Sequence, residues 1–306
     1  MDIHKSIADS LVEILFPITL PKIIELHKKV LDAAFYILLQ EPGVKQDPKS
    51  TRDANLLYQM AILKCHSVLK LSEGFKNYTN QIDGRKFNPI YDSFSILSIV
   101  RPQFESFCNF NNIYMQSKNQ DELNLKYNLW VLSGLKYRQS FNALSKENVQ
   151  KKEDEKKQIE EIEKVIIENP CYIQFDDLSK DKVKIAIKRK EWKIQINRTS
   201  GKTVGWHELL KSSGIKGVYE QLYTHLSLGT HPSNVSIFQF GEAGGKPEQC
   251  FLPIQISCTF IMFLIRDFCT YFPNAANTFH KLPYEYRYII NTYNSAIRGE
   301  EYILTK

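Results

Sequence analysis

The sequence predicts a mostly α fold, a multi-helix bundle carrying a small β-hairpin-like insertion. Two observations point to the helices. Apolar residues recur at helical spacing through most of the first half, and a long apolar run, Phe251 to Ile265, sits near the C-terminal end. One points to the insertion: between Lys182 and Ile196 the pattern switches to alternation.

The elements follow in order. Ile7 to Phe16 has helical spacing and ends at Pro17. Pro21 can open a second helix to about Gln40, its inner face built from Ile23, Ile24, Leu26, Val30, Leu31, Ala34, Phe35 and Leu38. A third helix is expected from about Thr51 to Tyr78 and a fourth from about Ile90 to Met115, where Pro102 should kink or break it. A fifth spans about Leu123 to Leu144. Lys146 to Glu168 is dominated by mixed charge with a narrow seam of Ile159, Ile162, Val165 and Ile166, a long solvated helix.

Beyond Pro170, Lys182–Lys188 and Trp192–Ile196 alternate, which suggests a hairpin turning at Arg189-Lys190-Glu191; a helical alternative stays open. Helices resume at Trp206–Ser212 and at Gly217 to about Thr230. Gly241 to Lys246 reads as a flexible loop. Two more helices are expected, at about Pro253–Phe272 and Pro283–Arg298. Residues 1–306 are taken as a single helical domain, with 145–205 as an inserted charged helix plus basic hairpin.

Composition bounds the function. Apolar residues make up 43% and charged residues 24% of 306, an ordinary globular balance with enough material for a core. The six cysteines form no CxxC pair and read as buried small hydrophobes in a reducing compartment. The start, Met1-Asp2-Ile3-His4-Lys5-Ser6, lacks the layout of a signal peptide. The apolar run from Phe251 stops at Arg266-Asp267, short of the ~20 residues a membrane span needs. The expectation is a cytoplasmic protein without a membrane segment. HExxH, GxxxxGK[ST] and GxGxxG are absent, as is three-histidine metal spacing, so no cofactor and no metal are expected.

Charge is uneven. The net charge is +6, but Lys180 to Lys202 holds nine basic against two acidic residues, leaving the remainder at −1. Lys184, Lys188, Arg189, Lys190, Trp192 and Lys193 make this segment the candidate for nucleic-acid binding, with lysines on phosphates and an indole stacking a base. The competing reading is a solvated hairpin face whose lysines guard an edge.

The remaining candidates lie on two helices. Arg101 and Glu105 are four apart, on one face of an otherwise apolar helix, where a charged pair must be satisfied to be buried. Tyr219, Tyr223, Ser227 and His231 form a ladder of fours, each step drifting about 40° around a helix. Pro232 disfavours helical geometry at His231, which places that residue at a helix C-terminus, where the dipole favours an imidazolium. A structural ion pair with a capping histidine, and a working site in which Arg101 and His231 act while Glu105, Tyr219 and Ser227 support, both fit these residues.

The pattern Arg101-x-x-x-Glu105, followed downstream by Trp206 and then Tyr219, Leu226-Ser227 and His231-Pro232-Ser233, resembles a group of bacterial helical families of unknown function. Some of these are similar to distant relatives of the HEPN superfamily, which includes ribonuclease toxins and phage-defence effectors. The resemblance covers about Asn55 to Phe272. It implies a metal-independent ribonuclease effector in bacterial stress or antiviral defence, acting on RNA, with a protein partner or a second copy. One departure matters: HEPN ribonucleases carry an arginine followed by four to six residues and then a histidine, on one helix. No arginine here has a histidine at that distance, so Arg101 and His231 would have to meet from different helices. The alternative is a non-catalytic regulatory or scaffold module whose polar cluster binds an anion or nucleotide or is purely structural.

Overall fold

Helical periodicity over most of the chain leaves each apolar helix stripe to be buried chiefly against another helix. The computed structural model describes residues 17, 19–41, 48–75, 79–86, 89–215 and 221–299. It is mostly helical, with one small two-stranded antiparallel sheet. The helix expected over Ile7–Phe16 lies outside the described residues, as does Tyr219. The chain divides into two compact units, Met1–Asn111 with Gly214–Lys306, and Asn112–Ser213.

In the first unit, α1 (Leu20–Leu39) opens with Pro21 in its first turn, and α2 (Lys49–Ser72) follows. Asp92 caps α3 (Ser93–Phe110) by accepting from the Ser95 N–H. Pro102 does not break α3, which runs through it, and a π-helical turn follows over Asn111–Met115.

The second unit begins with that turn and continues with α4 (Gln120–Gln139) and α5 (Lys146–Ile167). After these come α6 (Pro170–Ile173), α7 (Asp177–Lys188), β1 (Ile194–Asn197), β2 (Ser200–Thr203) and α8 (Trp206–Ser212). Leu125, Leu129 and Leu132 of α4 meet Ile166, Tyr172, Phe175, Val183 and Ile194 in one core. Ile159 and Ile162 of the charged helix α5 pack onto it, which is what their narrow seam is for.

The hairpin lies later in the chain than expected. Lys182–Lys188 is helical, with Val183 and Ala186 facing inward three residues apart. Asp176 caps this helix and Lys190, in the left-handed region at φ 60°, ends it. Lysine alternation had mimicked a strand; the cap and the i, i+3 apolar pair decide otherwise. The turn falls instead at Arg198-Thr199, with Ile194 opposite Thr203 and Asn197 opposite Ser200. A Cβ at Gly201 would lie 2.7 Å from the Phe175 ring, so only glycine fits there.

Back in the first unit are α9 (Leu222–Thr230), α10 (Asn234–Ala243), a 3₁₀ turn (Pro247–Cys250), α11 (Phe251–Tyr271), α12 (Pro273–Lys281) and α13 (Tyr284–Arg298). The glycine-rich stretch from Gly241 is less loop than expected, since α10 runs to Ala243. Helix α11 is the axis of this unit. It packs against α1, α2, α3 and α13 and buries Ile254, Phe260, Phe263, Ile265 and Phe268 among others. Pro253 is tolerated because it sits in the first turn, where its missing N–H has no partner to lose. Among the described residues, Pro247–Tyr271 is long and apolar enough to cross a membrane, but 72% of its most apolar window is buried inside the protein.

Candidate functional site

An exposed polar cluster, here called the rim cluster, forms where α9 packs against α3. The approach is close because residue 229 is glycine: a Cβ there would fall 2.5 Å from Leu97 Cδ1 and 3.2 Å from Leu97 Cβ. Leu97 is one turn before Arg101 on α3, and Gly229 immediately precedes Thr230 and His231. The same contact therefore sets the reach of Arg101 to the end of α9.

Arg101 makes four hydrogen bonds from its guanidinium. Its Nε donates to Glu105 Oε1 at 3.3 Å, the ion pair expected from their spacing. One terminal nitrogen contacts His231 Nε2 at 3.0 Å and Thr230 Oγ1 at 3.4 Å. The other donates to the Tyr223 hydroxyl at 3.0 Å. Its carbon also lies 5.3 Å from the centre of the Tyr223 ring. The charge is thus held from three sides by one carboxylate and three groups of α9 and its cap.

A guanidinium has donors and no acceptor, so the contact is a hydrogen bond when His231 Nε2 presents its lone pair. His231 is extended, at φ −108° and ψ 141°, as Pro232 requires, and its side chain is exposed. Its carbonyl accepts from the Ser236 hydroxyl at 2.6 Å, which ties the cap to the start of α10.

Of the sequence candidates, Arg101, Glu105 and His231 meet. Ser227 enters through its carbonyl, which accepts from the Thr230 hydroxyl at 3.1 Å, not through its own hydroxyl. Two partners of Arg101 went unassigned in the sequence. Tyr223 stood in the ladder of fours, and its position four before Ser227 was signal enough. Thr230 had no signal beyond preceding His231.

A second polar cluster had none. In the core, His27 of α1, Cys65 of α2, Gln103 of α3 and Ser257 of α11 converge, all at 0–1% exposure. His27 Nε2 lies 3.0 Å from both Ser257 Oγ and Cys65 Sγ. The Ser257 hydroxyl donates to Gln103 Oε1 at 2.7 Å, and the Gln103 amide donates to the Ser257 carbonyl at 3.0 Å. Burial holds His27 down at about 3 and pushes the Cys65 thiol up to about 12, so both are neutral. Nucleophile-like residues stand at catalytic distances here, but with no access this is a structural network.

In the second unit, Lys184 and Lys188 are exposed on α7, and Lys184 pairs with Asp181 at 3.3 Å. Arg189 and Lys190 form the turn after it, with Lys190 Nζ 4.9 Å from the centre of the Tyr137 ring. Trp192 meets Trp206 edge to face, centres 5.9 Å apart. Lys193 Nζ lies 5.2 Å and 4.9 Å from the two ring centres. Trp206 was not among the sequence candidates for this surface. Among the described residues no group of three or more His, Cys, Asp or Glu converges in a way that could hold a metal ion.

Fold and rim cluster together define a mostly α protein with an exposed histidine beside an ion-paired arginine. A family model described as a family of unknown function (DUF5677) matches residues 91–247. That span is just over half of the chain and includes both halves of the rim cluster, and the protein belongs to that family. No curated protein and no solved structure matches the chain.

Proposed function

We propose that the protein is a HEPN-like, metal-independent ribonuclease effector, a cytoplasmic toxin-type component of bacterial stress or antiviral defence. The observation that carries the reading is the 3.0 Å contact between Arg101 and His231 Nε2 on an exposed rim, made by residues 130 apart in the chain. It supplies from two helices the arginine and histidine that such enzymes carry on one.

The chemistry follows from the contact between these two side chains. An RNA phosphate takes the place of His231 on the Arg101 guanidinium, which frees the Nε2 lone pair. Nε2 then accepts the proton of the 2′-hydroxyl as that oxygen bonds to phosphorus. Arg101 stabilises the charge gathering on the phosphorus oxygens. The bond to the 5′ oxygen breaks, that oxygen takes a proton from solvent water, the hydroxide so formed takes the proton held on His231, and the products end in a 2′,3′-cyclic phosphate and a 5′-hydroxyl. Glu105 and Tyr223 hold the guanidinium in plane. Arg101 supplies the positive charge and His231 the base, so the step needs no metal.

The test is to incubate the purified protein with total RNA beside Arg101→Ala and His231→Ala, and to identify the ends of any fragments. Cleavage by the wild type alone, with cyclic phosphate ends, is expected. Intact RNA in every lane refutes the reading.

A second reading is favoured by the saturation of Arg101, whose four hydrogen bonds all go to protein groups. In it the cluster is a structural tie or an anion site in a scaffold. Arg101→Ala then lowers the Tm markedly with no nuclease activity to lose, whereas the first reading has activity vanish from a folded protein.

A further inference from the structure

The second unit has a cavity outside the rim cluster. It measures about 440 Å³ and is lined by Glu191, Lys193, Thr203, Val204, Gly205 and Trp206. We infer that this cavity binds one base of a single-stranded nucleic acid, with the flanking phosphates on the cations of Lys188–Lys202. The inference stands whether or not the rim cluster cleaves RNA.

The volume is in the range of small-ligand pockets, roughly 300–1,000 Å³, and accommodates a nucleotide. Its aromatic wall is rigid, since Trp206 is fixed edge-on by Trp192 and both are half-buried. Lys193 Nζ lies 4.9 Å from the Trp206 ring centre, so a base stacks there by displacing that ammonium onto the adjoining phosphate, and stacking contributes about 1–3 kcal/mol per base. Glu191 and Thr203 supply a carboxylate and a hydroxyl to the base edge, matching the amino and ring N–H groups that bases present.

Charge selects the rest of the ligand. From Lys188 to Thr203 there are six basic residues and one carboxylate, Glu191. Lys188, Arg189, Arg198 and Lys202 are exposed, and Lys193 lies against the cavity itself. A neutral sugar or a cationic peptide would gain nothing from that excess. A polyanion that also carries flat rings uses both features, and it must be single-stranded, because paired bases keep their faces stacked on each other.

The experiment uses the full chain with Arg101→Ala and His231→Ala, so that no cleavage interferes. Fluorescence anisotropy is read with labelled single-stranded RNA, single-stranded DNA of the same sequence, a duplex, and heparin as a ringless polyanion. Single strands should bind at least roughly tenfold more tightly than the duplex, with affinity falling steeply as salt rises. Trp206→Ala should weaken single-strand binding by roughly tenfold, while Trp206→Phe keeps most of it. Lys188→Ala with Arg189→Ala should flatten the salt dependence. A base in the cavity should also shield tryptophan fluorescence of the unmutated site from acrylamide, a readout that survives even if Trp206→Ala fails to fold. Preference for RNA over DNA, or none, identifies the source of the strand. Heparin and oligonucleotides binding alike with no shielding, or no binding at all, overturns the inference.

Discussion

Two histidines of the first unit each sit 3.0 Å from a polar partner, and their surroundings give them opposite roles. His27 contacts Ser257 and Cys65 inside the core at 0% exposure. His231 contacts Arg101 at the open rim. By distance alone the buried trio looks more like an active site, since it brings a serine and a cysteine to an imidazole. It has no route for substrate, and desolvation keeps the thiol protonated and the imidazole neutral. The rim cluster has fewer reactive groups and can be reached. Access, not spacing, separates a packed polar network from a candidate site.

Acid should break the comparison most strongly. The folded state holds His27 at about 3 against 6.5 for the free side chain. Between those values the unfolded chain binds the proton and the folded chain does not, so stability falls as pH falls. Its contribution is fully present above pH 6.5 and is lost toward pH 3, at about 1.4 kcal/mol per unit and on the order of 5 kcal/mol at the acid end. Urea denaturation at several pH values measures this. The His27→Leu variant should show a shallower acid slope; an unchanged slope means that His27 is not what titrates.

The next largest effect belongs to the other sealed group. Arg298 of α13 and Asp267 of α11 form an ion pair at 2.9 Å, with side chains at 0% and 2% exposure. Asn111 donates to the same carboxylate at 2.7 Å, and the guanidinium lies 5.5 Å and 5.3 Å from the centres of Phe107 and Phe263. Arg298→Ala strands a buried carboxylate and should cost about 3–5 kcal/mol in denaturant melts. A loss below about 1 kcal/mol would contradict the pair's assigned role.

How much of this could be read from the sequence follows the same division. The helical bundle was legible because amphipathic period is written locally, as in α1 and α5. Arg101-Glu105 was legible as an i, i+4 pair, and the placing of His231 at a helix end followed from Pro232. The His27–Cys65–Gln103–Ser257 network was not, because its four members come from four helices and each is unremarkable in its own window. The strand reading of Lys182–Lys188 failed because alternating lysines around isoleucine fit both periods, and the choice lay with the Asp176 cap. Gly229 gave no sign, since its value is the space it leaves for Leu97.

That glycine offers a sharper cut at the rim, because it changes the cluster without touching a polar atom. In Gly229→Ala the new methyl meets Leu97, and either the leucine changes rotamer or α9 moves off α3. Overpacking of this kind costs about 1–3 kcal/mol. If α9 moves, Arg101 loses reach to Thr230 and His231 together. Under the proposed ribonuclease reading, RNA cleavage then drops by roughly tenfold or more, since small misplacements of a catalytic pair are costly. Pairing the change with Leu97→Ala should restore both stability and cleavage in part. Full activity in Gly229→Ala alone would mean that the spacing of the two helices does not set the site.

The smallest effect expected is at Thr230, and it separates holding the arginine from merely neighbouring it. The Thr230 hydroxyl donates to the Leu226 carbonyl at 2.6 Å and accepts from Arg101 at 3.4 Å, the longest of the four guanidinium bonds. Valine keeps the branched shape and removes the acceptor. The helix loses a local bond to a carbonyl near its end, so the Tm should move by no more than about 4 °C. Arg101 keeps Glu105, Tyr223 and His231 but loses one of the bonds that fix its tilt. Under the proposed ribonuclease reading, if tilt matters only once charge develops on phosphorus, kcat should fall about two- to fivefold with KM unchanged, because an interaction lost only in the transition state lowers kcat and kcat/KM together. A rise in KM at constant kcat would instead make Thr230 part of ground-state phosphate binding, and would move the cluster toward the anion-site reading.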